Sequence, residues 1–548
     1  MFYPNELAYF KKTNFKHPNG LLTFNEAAVH QNNPRRPQKY FKNRVLQRLL
    51  QFCKNSIHGV NHIFEPRERP AVRLFWLLVV IAALIGCIVL YIDVTKRHGE
   101  EVLVTVVETS HLPIHKISFP AVAVCPFNHI NWMRYKAAEE KFLPRYTAKE
   151  AKRSFFNLMV LMERITFSRL DPIKEFLNTK KVPRSVRNIV LSEVAKYMAL
   201  RCDEIFRWCS YDETQHDCCK IFVPEYTEKG VCLVFNSVIS KESKIKKLTD
   251  NYYPWRARSS GERSGLSFKL RYNSSVIRPE SDVPFAFSVL IKESEEWSDS
   301  LFNILHENTH TSLMVTPIIT ETSRNTRHIN PAKRKCLFPN EKSRKYYRIE
   351  GLQFNKVNCR VQCEQRYLLD ACNCTMSMFF PGIPNNPDKE CRVSDLKCIY
   401  EHRDVFSYIK GPLQDEYIND TRRGMTCDCI NSCKSMVYLV NLNTLPLANI
   451  NESYPEISAD VYFNKNTLTK YAARLQYTYL DLISNFGGIM GLCLGASVLS
   501  IFEVFYGLMR ASFVFCLYKL ANRRKKSRVN VVKVKKGYAQ GQINATKL

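Results

Sequence analysis

The sequence predicts a membrane protein in which two transmembrane helices flank a large, disulfide-rich ectodomain of mixed α and β structure. Three observations support this fold class: two long apolar segments, basic sequences outside them, and many cysteines between them. The predicted regions are an N-terminal tail, a first helix, the ectodomain, a second helix and a C-terminal tail. Their bounds are 1–73, 74–95, 96–476, 477–518 and 519–548.

Two segments lack charged residues over the length of a membrane-spanning helix. Residues 74–92 form an uncharged run of 19, and residues 482–502 form one of 21. A hydrocarbon core of about 30 Å requires about 20 helical residues, so each run can span it. An uncleaved signal sequence is an alternative for the first run. A cleaved one is disfavoured, because 73 residues precede the run.

The net charge of +29 is concentrated in the two tails. Residues 1–73 contain 13 Lys and Arg against 4 Asp and Glu, and residues 504–548 contain 11 Lys and Arg without an acid. Because Lys and Arg beside spanning helices collect on the cytoplasmic side, we predict a plasma-membrane protein with both termini in the cytoplasm. The basic run at 522–528 resembles a nuclear signal, but attraction to anionic lipid explains it better beside a spanning helix. The predicted partner is therefore the lipid bilayer and not nucleic acid.

The cysteines predict an oxidised ectodomain. Sixteen of the 20 lie between Cys125 and Cys433, an even number in the region predicted to be outside the cell. The remaining four are predicted to be free thiols: Cys53, Cys87, Cys493 and Cys516. Sequons for N-glycosylation agree with this topology. They begin at Asn273, Asn373, Asn419 and Asn451.

The ectodomain contains patterns of both strands and helices. β-branched residues and apolar alternation indicate strands, whereas apolar residues that recur at three and four indicate helices. The predictions are extended chain within 100–128, helices within 140–206, strands at 312–323 and 435–442, and a helix at 355–374. In that last helix Cys359 and Cys363 share one face, because they are four residues apart.

Two patterns suggest metal chemistry, and both have a simpler explanation. HENTH at 306–310 matches the H-E-x-x-H zinc-hydrolase motif, which requires a helix. Asn308 and Thr309 are weak helix formers, and a strand-like segment follows them. Two C-x-C pairs, at 372–374 and 427–429, could bind zinc, but disulfides are favoured outside the cell. We therefore predict no enzyme activity, no metal site and no cofactor.

Several scattered motifs occur in one order along the chain. They are His58-Gly59, the ISFPAVAVCPFN segment that contains Cys125, GVCLVFN at 230–236, ten cysteines from 336 to 433, and Gly495-Ala496-Ser497. This series resembles the degenerin/epithelial sodium channel family, and most closely its insect pickpocket branch. The resemblance covers most of the chain from residue 52. It implies an acid-sensing/epithelial sodium channel-like fold, a homo- or heterotrimer of related subunits, and voltage-independent conduction of sodium ions in a sensory or epithelial setting.

The resemblance also implies roles for residues around the second helix. Gly495, Ala496 and Ser497 match the family's selectivity filter, where the helix is expected to break so that backbone carbonyls line a water-filled path. Gating roles are implied for Ser484 and for the pair His58-Gly59, which is expected in a re-entrant cytoplasmic loop. Residues expected to line the pore are Asn485, Gly488, Gly491 and Glu503.

Some of these assignments have alternatives. Gly487 to Gly491 can serve close helix packing, as small residues do in other membrane helices. Glu503 can mark the end of the helix, since a carboxylate within a span is costly. Asn485 and Tyr506 stand where many relatives have acids. Alternative functions are a non-conducting accessory subunit or receptor, and a P2X-like ATP-gated channel, whose family lacks this cysteine series.

The resemblance finally implies a set of disulfide bonds that the sequence alone leaves open. The implied pairs are Cys125–Cys232, Cys202–Cys209, Cys336–Cys433, Cys359–Cys429, Cys363–Cys427, Cys372–Cys398 and Cys374–Cys391. The adjacent Cys218 and Cys219 depart from the family pattern and receive no partner.

Overall fold

A computed structural model describes residues 58–520, with gaps within that range. The gaps are 101–102, 146–147, 179–181, 272, 285, 298–301, 344–345, 383–388, 411–420, 448–454, 496, 498, 501, 504, 511, 514–515 and 518–519. The predictions for most of both tails and for four single residues fall outside the described chain. Those residues are Cys53, Asn419, Asn451 and Ala496.

The chain forms two compact units. The helical unit contains the described residues before Arg97 and from Tyr479 onward, and the cysteine-rich unit is Arg97–Thr478. The helices are α1 (Val60–Phe64), α2 (Pro70–Glu100), α3 (Tyr135–Phe142), α4 (Lys149–Arg164), α5 (Ile173–Leu177), α6 (Arg184–Arg187), α7 (Leu191–Met198), α8 (Cys202–Ile205), α9 (Cys218–Ile221), α10 (Lys241–Thr249), α11 (Pro331–Arg334), α12 (Lys356–Cys372), α13 (Leu396–Glu401), α14 (Arg403–Phe406) and α15 (Tyr479–Leu494).

The strands of the described chain all belong to the cysteine-rich unit. They are β1 (Leu103–Pro113), β2 (Ala121–Pro126), β3 (Phe206–Tyr211), β4 (Thr214–His216), β5 (Phe222–Thr227), β6 (Gly230–Phe235), β7 (Leu266–Arg271), β8 (Ala286–Lys292), β9 (Asn303–His306), β10 (Thr309–Thr322), β11 (Cys336–Leu337), β12 (Asn431–Ser432), β13 (Lys434–Pro446), β14 (Glu456–Phe463) and β15 (Thr467–Leu475).

The helical unit is built on α2. Its first residue is Pro70, which suits the first turn of a helix because proline has no N–H to donate there. Within the described chain, one helix, α2, is long and apolar enough to cross a membrane. The helix α15 is apolar but has 16 residues. The predicted second span is therefore not a single continuous helix in the structure.

The cysteine-rich unit contains two large sheets. The first has eight strands in the order β1-β15-β10-β14-β7-β3-β4, with β13 also paired to β10. The second has five strands in the order β5-β6-β2-β8-β9, and β11 pairs with β12 alone. The strand β10 is parallel to β14 as far as Val315 and parallel to β15 from Ile318. Pro317 lies between these two pairings.

A hydrophobic core fills the space between the two large sheets. It joins residues of β2, β6 and β8 to residues of β7, β10 and β14. Phe119 is fully buried there, and its ring centroid lies 5.3 Å from that of Phe463 and 6.1 Å from that of Phe235. Alternating apolar residues thus bury one face of each strand, as the period of two predicts.

A second core holds the helices of the cysteine-rich unit together. It is formed mainly by α4, α5, α7, α12 and α13 and by the segment 374–380. In α4 the apolar residues recur at helical spacing, and Phe155, Leu158 and Met162 are buried. The helical interpretation of 140–206 and 355–374 therefore agrees with the structure.

Eight disulfide bonds link cysteines of the cysteine-rich unit. Six match the implied pairs: Cys125–Cys232, Cys336–Cys433, Cys359–Cys429, Cys363–Cys427, Cys372–Cys398 and Cys374–Cys391. Four of these tie α12 and β11 to later segments of the chain, and the bond of Cys374, two residues after α12, is a fifth within the same region. Cysteines 372, 374, 427 and 429 are thus oxidised, and the C-x-C pairs have no thiolate to offer zinc.

The implied bond between Cys202 and Cys209 is wrong. Cys202 is bonded to Cys219, and Cys209 to Cys218. The reason is the β3–β4 hairpin, whose two turn residues, 212 and 213, both have positive φ. The hairpin returns the chain so that Cys218 lies beside Cys209, while the extended strand β3 carries Cys209 away from Cys202. The adjacent cysteines close two nested bridges around this turn.

Candidate pore site

The helix α15 ends immediately before Gly495, the first residue of the Gly-Ala-Ser motif. Gly495 has φ 62°, a left-handed conformation that favours glycine, and its N–H donates to the Gly491 carbonyl at 3.0 Å. Helical residues resume at Leu499. Ser497 begins this second segment, because its hydroxyl and carbonyl oxygens both accept from the Ser500 N–H, at 3.3 and 3.0 Å. The predicted break in the helix is therefore present at the motif.

The pair His58-Gly59 lies at this break. The His58 N–H donates to the carbonyl of Leu494, the last residue of α15, at 3.1 Å. A Cβ at position 495 would overlap the His58 ring. The missing side chain of Gly495 thus makes room for the imidazole. This contact satisfies a carbonyl that the end of a helix would otherwise leave without an intrahelical partner.

Gly59 connects the same segment to the first helix. It has φ 82°, and a Cβ there would lie 3.2 Å from both Trp76 and Val80 of α2. The indole of Trp76 also stacks on His62, with ring centroids 4.8 Å apart. Both the backbone conformation and this close approach favour glycine at position 59. The segment 58–62 therefore contacts α2 on one side and the end of α15 on the other.

The two long helices also contact each other directly. The Cys87 and Met490 sulfur atoms are 3.6 Å apart, and the rings of Tyr91 and Phe486 are 4.7 Å apart. From the first contact to the second, the residue number rises by four in α2 and falls by four in α15. Antiparallel packing of two apolar helices follows from these contacts. Cys87, Cys493 and Cys516 are unbonded cysteines.

The other predicted pore residues lie on exposed surface of the chain. Ser484, Asn485, Gly488, Gly491 and Glu503 are exposed. A Cβ at Gly487 or Gly488 would meet no described atom within 4 Å. Within this single chain, the structure thus brings His58, Gly59 and Gly495 together, but it does not bring Ser484 or Asn485 to them. Trp76 and Val80 belong to the site as well, and no local sequence pattern marks them.

An ion network joins three strands of the large sheet. The Lys470 ammonium lies 2.9 Å from Glu321 and 3.1 Å from Glu108. Its hydrogen bond to Glu321 raises the pKa of Lys470 and lowers that of Glu321. These residues belong to β15, β10 and β1, so the network fixes the strand after α2 to the strand before α15. No local sequence pattern marks this network, because its members are far apart in the chain.

A buried carboxyl group lies beside this network. Burial raises the pKa of Glu293 to about 7, and the nearby Glu296 carboxylate adds to the effect. Glu293 accepts the Met436 N–H at 2.6 Å. Glu293 and Glu321 line one cavity of about 440 Å³ between the sheets and the start of α12. The cysteine-rich unit thus contains a carboxyl group that changes charge near neutral pH.

The HENTH sequence does not form a metal site. Its first histidine ends β9, and its second lies in β10 after a turn at which Asn308 has φ 54°. The two imidazoles therefore do not share a helix face. His310 Nε2 instead lies 3.1 Å from an Asp460 carboxylate oxygen, and its Nδ1 lies 3.1 Å from the Ser458 hydroxyl.

Comparison with known proteins identifies the family. A family model described as Amiloride-sensitive sodium channel matches residues 52–506, which include both long helices and the cysteine-rich unit. The chain belongs to the amiloride-sensitive sodium channel family. The chain is therefore a plasma-membrane protein of an ion channel family. The proteins of this family are channels and not enzymes.

Several relatives of the amiloride-sensitive sodium channel family align over nearly the whole chain. Pickpocket protein 19 of Drosophila melanogaster is 37% identical over 514 residues, which cover 93% of this chain and 97% of that protein. Sodium channel protein Nach of Drosophila ananassae is 24% identical and covers 83% of this chain and 85% of its own length. Acid-sensing ion channel 1A of Danio rerio is 24% identical, with coverage of 85% and 89%.

Proposed function

We propose that this protein is a subunit of a trimeric, voltage-independent, sodium-selective cation channel. The observation that carries the proposal is the break in α15 at Gly495, within a chain of the amiloride-sensitive sodium channel family. A non-helical backbone at membrane depth is tolerated where it lines a water-filled path. Carbonyl oxygens at Gly495, Ala496 and Ser497 would replace part of the hydration shell of a sodium ion.

The exposed face of α15 supports assembly of several copies around an axis. An apolar helix with glycines facing open space can approach the same helix of another subunit closely. Closed rings of identical or related subunits present one such surface repeatedly. In this arrangement Asn485, Gly488 and Gly491 line the outer pore, and Glu503 lines the pore below the filter.

The contacts of His58 and Gly59 support a gating role. Gly59 lies against α2, and the adjacent His58 lies against the end of α15. A relative movement of the two helices would therefore change the contact between His58 and Gly495. The basic tails support a topology in which both termini are cytoplasmic and the cysteine-rich unit lies outside the cell, where it would control opening. Its strands β1 and β15 lead directly into the two helices.

The proposal is tested by expression of the chain in a cell without related channels. We expect a cation current with a reversal potential that follows the sodium gradient. Surface labelling in the same cells separates a channel that does not conduct from one that does not reach the membrane. A chain at the surface that carries no current, either alone or with a pickpocket relative, would contradict the proposal and favour a non-conducting receptor.

A further inference from the structure

The two described sequons differ in how much of each the folded protein exposes. In the first, Asn273, Ser274 and Ser275 are all exposed. In the second, Asn373 is exposed, but Thr375 is 2% exposed. N-glycosylation uses the side chains of both the asparagine and the hydroxyl residue two positions later. The first sequon is therefore accessible in the folded protein, and the second is not.

The second sequon is closed by disulfides and hydrogen bonds. Cys372 and Cys374, on either side of Asn373, are bonded to Cys398 and Cys391. Gln365 Nε2 donates to the Thr375 hydroxyl at 2.9 Å, inside the core. The Thr375 backbone N–H donates to the Lys389 carbonyl at 2.7 Å, and the Thr375 carbonyl accepts from the Cys391 N–H at 2.8 Å. Access to Thr375 therefore requires release of the segment that ends at Cys391.

We propose that Asn373 is glycosylated only while the Cys374–Cys391 bond is open, so that its occupancy reports a competition between glycan transfer and disulfide closure. The inference rests on the proposed extracellular placement of the cysteine-rich unit. The finished glycan fits the folded protein, because Asn373 is the exposed residue after α12. The folded protein therefore blocks the transfer reaction, which needs access to Thr375, and not the presence of the glycan on Asn373.

Both competing reactions modify the newly made chain. In glycan transfer, Asn373 Nδ2 forms a bond to the anomeric carbon of a lipid-diphosphate-linked oligosaccharide. The bond between that carbon and the phosphate oxygen breaks, the lipid diphosphate leaves with the bonding electrons, and Nδ2 loses one proton. In closure, the thiols of Cys374 and Cys391 form the S–S bond and pass two electrons and two protons to a disulfide-bonded oxidoreductase.

The time available for transfer is short. Cys391 follows Cys374 by 17 residues, and Cys398 follows Cys372 by 26. Synthesis at about 5–20 residues per second delivers the partner Cys391 within about 1–4 s. Disulfide formation takes seconds or longer, so the two processes overlap. Asn273 meets no such competition, because the bonded cysteines nearest before it, Cys219 and Cys232, pair with the earlier residues Cys202 and Cys125.

The test measures the occupancy of both sequons by mass spectrometry on total cellular protein, including molecules that fail to fold. Cys391→Ser removes the competing bond and leaves the sequon intact. We expect Asn373 occupancy to rise about twofold or more, toward the level of Asn273, because closure and synthesis have similar timescales. Cys336→Ser breaks the Cys336–Cys433 bond, whose two cysteines lie far from the sequon in the chain. It controls for general misfolding and should leave Asn373 occupancy unchanged.

Three results would overturn the inference. Equal Asn373 occupancy in the wild type and in Cys391→Ser, with Asn273 modified, would show that disulfide closure does not compete with glycan transfer. The extracellular placement would still be supported by the glycan on Asn273. An equal rise in Cys336→Ser and Cys391→Ser assigns the effect to misfolding. Absence of glycan at both asparagines contradicts the extracellular placement itself, and with it this inference.

Discussion

Gly495 is the residue on which the geometry of the candidate pore depends most. Its backbone is left-handed, and the position of its missing Cβ is filled by the His58 ring. Each feature alone disfavours a side chain. The family motif therefore has a local physical explanation in this chain: a glycine ends α15, and the same glycine admits the imidazole that contacts its end.

We expect Gly495→Ala to abolish most of the current. A left-handed alanine costs about 1–2 kcal/mol, and the overlap with His58 adds to this cost. The matched control is Gly86→Ala in α2, outside the proposed pore, whose Cβ meets no described atom within 4 Å and whose helical backbone accepts alanine. Whole-cell current per surface channel is the measurement. Equal currents in the two variants would show that position 495 does not require glycine.

Glu293 predicts a pH dependence of stability. Its folded pKa of about 7 lies above the ordinary value of 4.5, so its contribution to stability is fully present below about pH 4.5 and is lost as the pH rises through about 7. The loss is on the order of 3 kcal/mol, since one pKa unit corresponds to about 1.4 kcal/mol. We expect the melting temperature of the purified channel to fall more steeply over this range in the wild type than in Glu293→Gln.

The comparison with Glu293→Gln isolates one group. Burial lowers the pKa of His129 to about 4, which gives the opposite slope, because that contribution to stability is lost as the pH falls below about 6.5. His129 is present in both proteins, so its effect cancels in the difference between them. Parallel melting curves from about pH 4.5 to pH 7 would mean that Glu293 does not titrate there.

At the scale of elements, the strands and helices of the cysteine-rich unit follow local patterns. The strand β10 and the helix α12 agree with the predicted segments within a few residues, because their apolar periods are long and clear. The sheet order could not be predicted, since parallel pairs such as β10 and β14 join distant parts of the chain. The predicted bond between Cys202 and Cys209 is wrong for a related reason. The partner of Cys202 depends on the turn between β3 and β4 and not on the spacing of the cysteines in the sequence.

The corrected bridges predict an order of severity among double variants. Cys202→Ser with Cys219→Ser removes one bond, whereas Cys202→Ser with Cys209→Ser breaks two and leaves two lone thiols. Because a native disulfide contributes about 2–5 kcal/mol, the first variant should retain more surface protein. Surface biotinylation of the two variants makes the comparison. Greater surface expression of the Cys202/Cys209 variant would contradict the pairing found here.

At the scale of the whole molecule, the sequence predicts the parts of the pore better than their arrangement. A glycine-rich apolar segment indicates close packing, and the motif at 495–497 indicates where the helix ends. The contact of His58 with Gly495 cannot be read from either segment, because it joins opposite ends of the chain. The apolar run from 482 to 502 continues through the break, so hydropathy alone does not show where α15 ends.

We propose that the break at Gly495 forms an ion-selective constriction and that Ser484 acts on channel opening instead. Ser484 lies eleven residues before Gly495, about 16 Å along a helix at 1.5 Å per residue. Because packed helix contacts switch between discrete arrangements, a bulky residue at position 484 should favour the open one. The two sites are therefore expected to fail in different ways.

The most direct test is the reversal potential under exchanged sodium and potassium, measured for Ser484→Val and Ser497→Cys with surface protein quantified alongside. If the subunit needs a partner to conduct, the partner is present in both measurements. We expect Ser484→Val to raise the resting sodium current with an unchanged reversal potential, and Ser497→Cys to shift that potential or abolish the current. An equal shift in reversal potential in both variants would contradict the assignment of filter and gate.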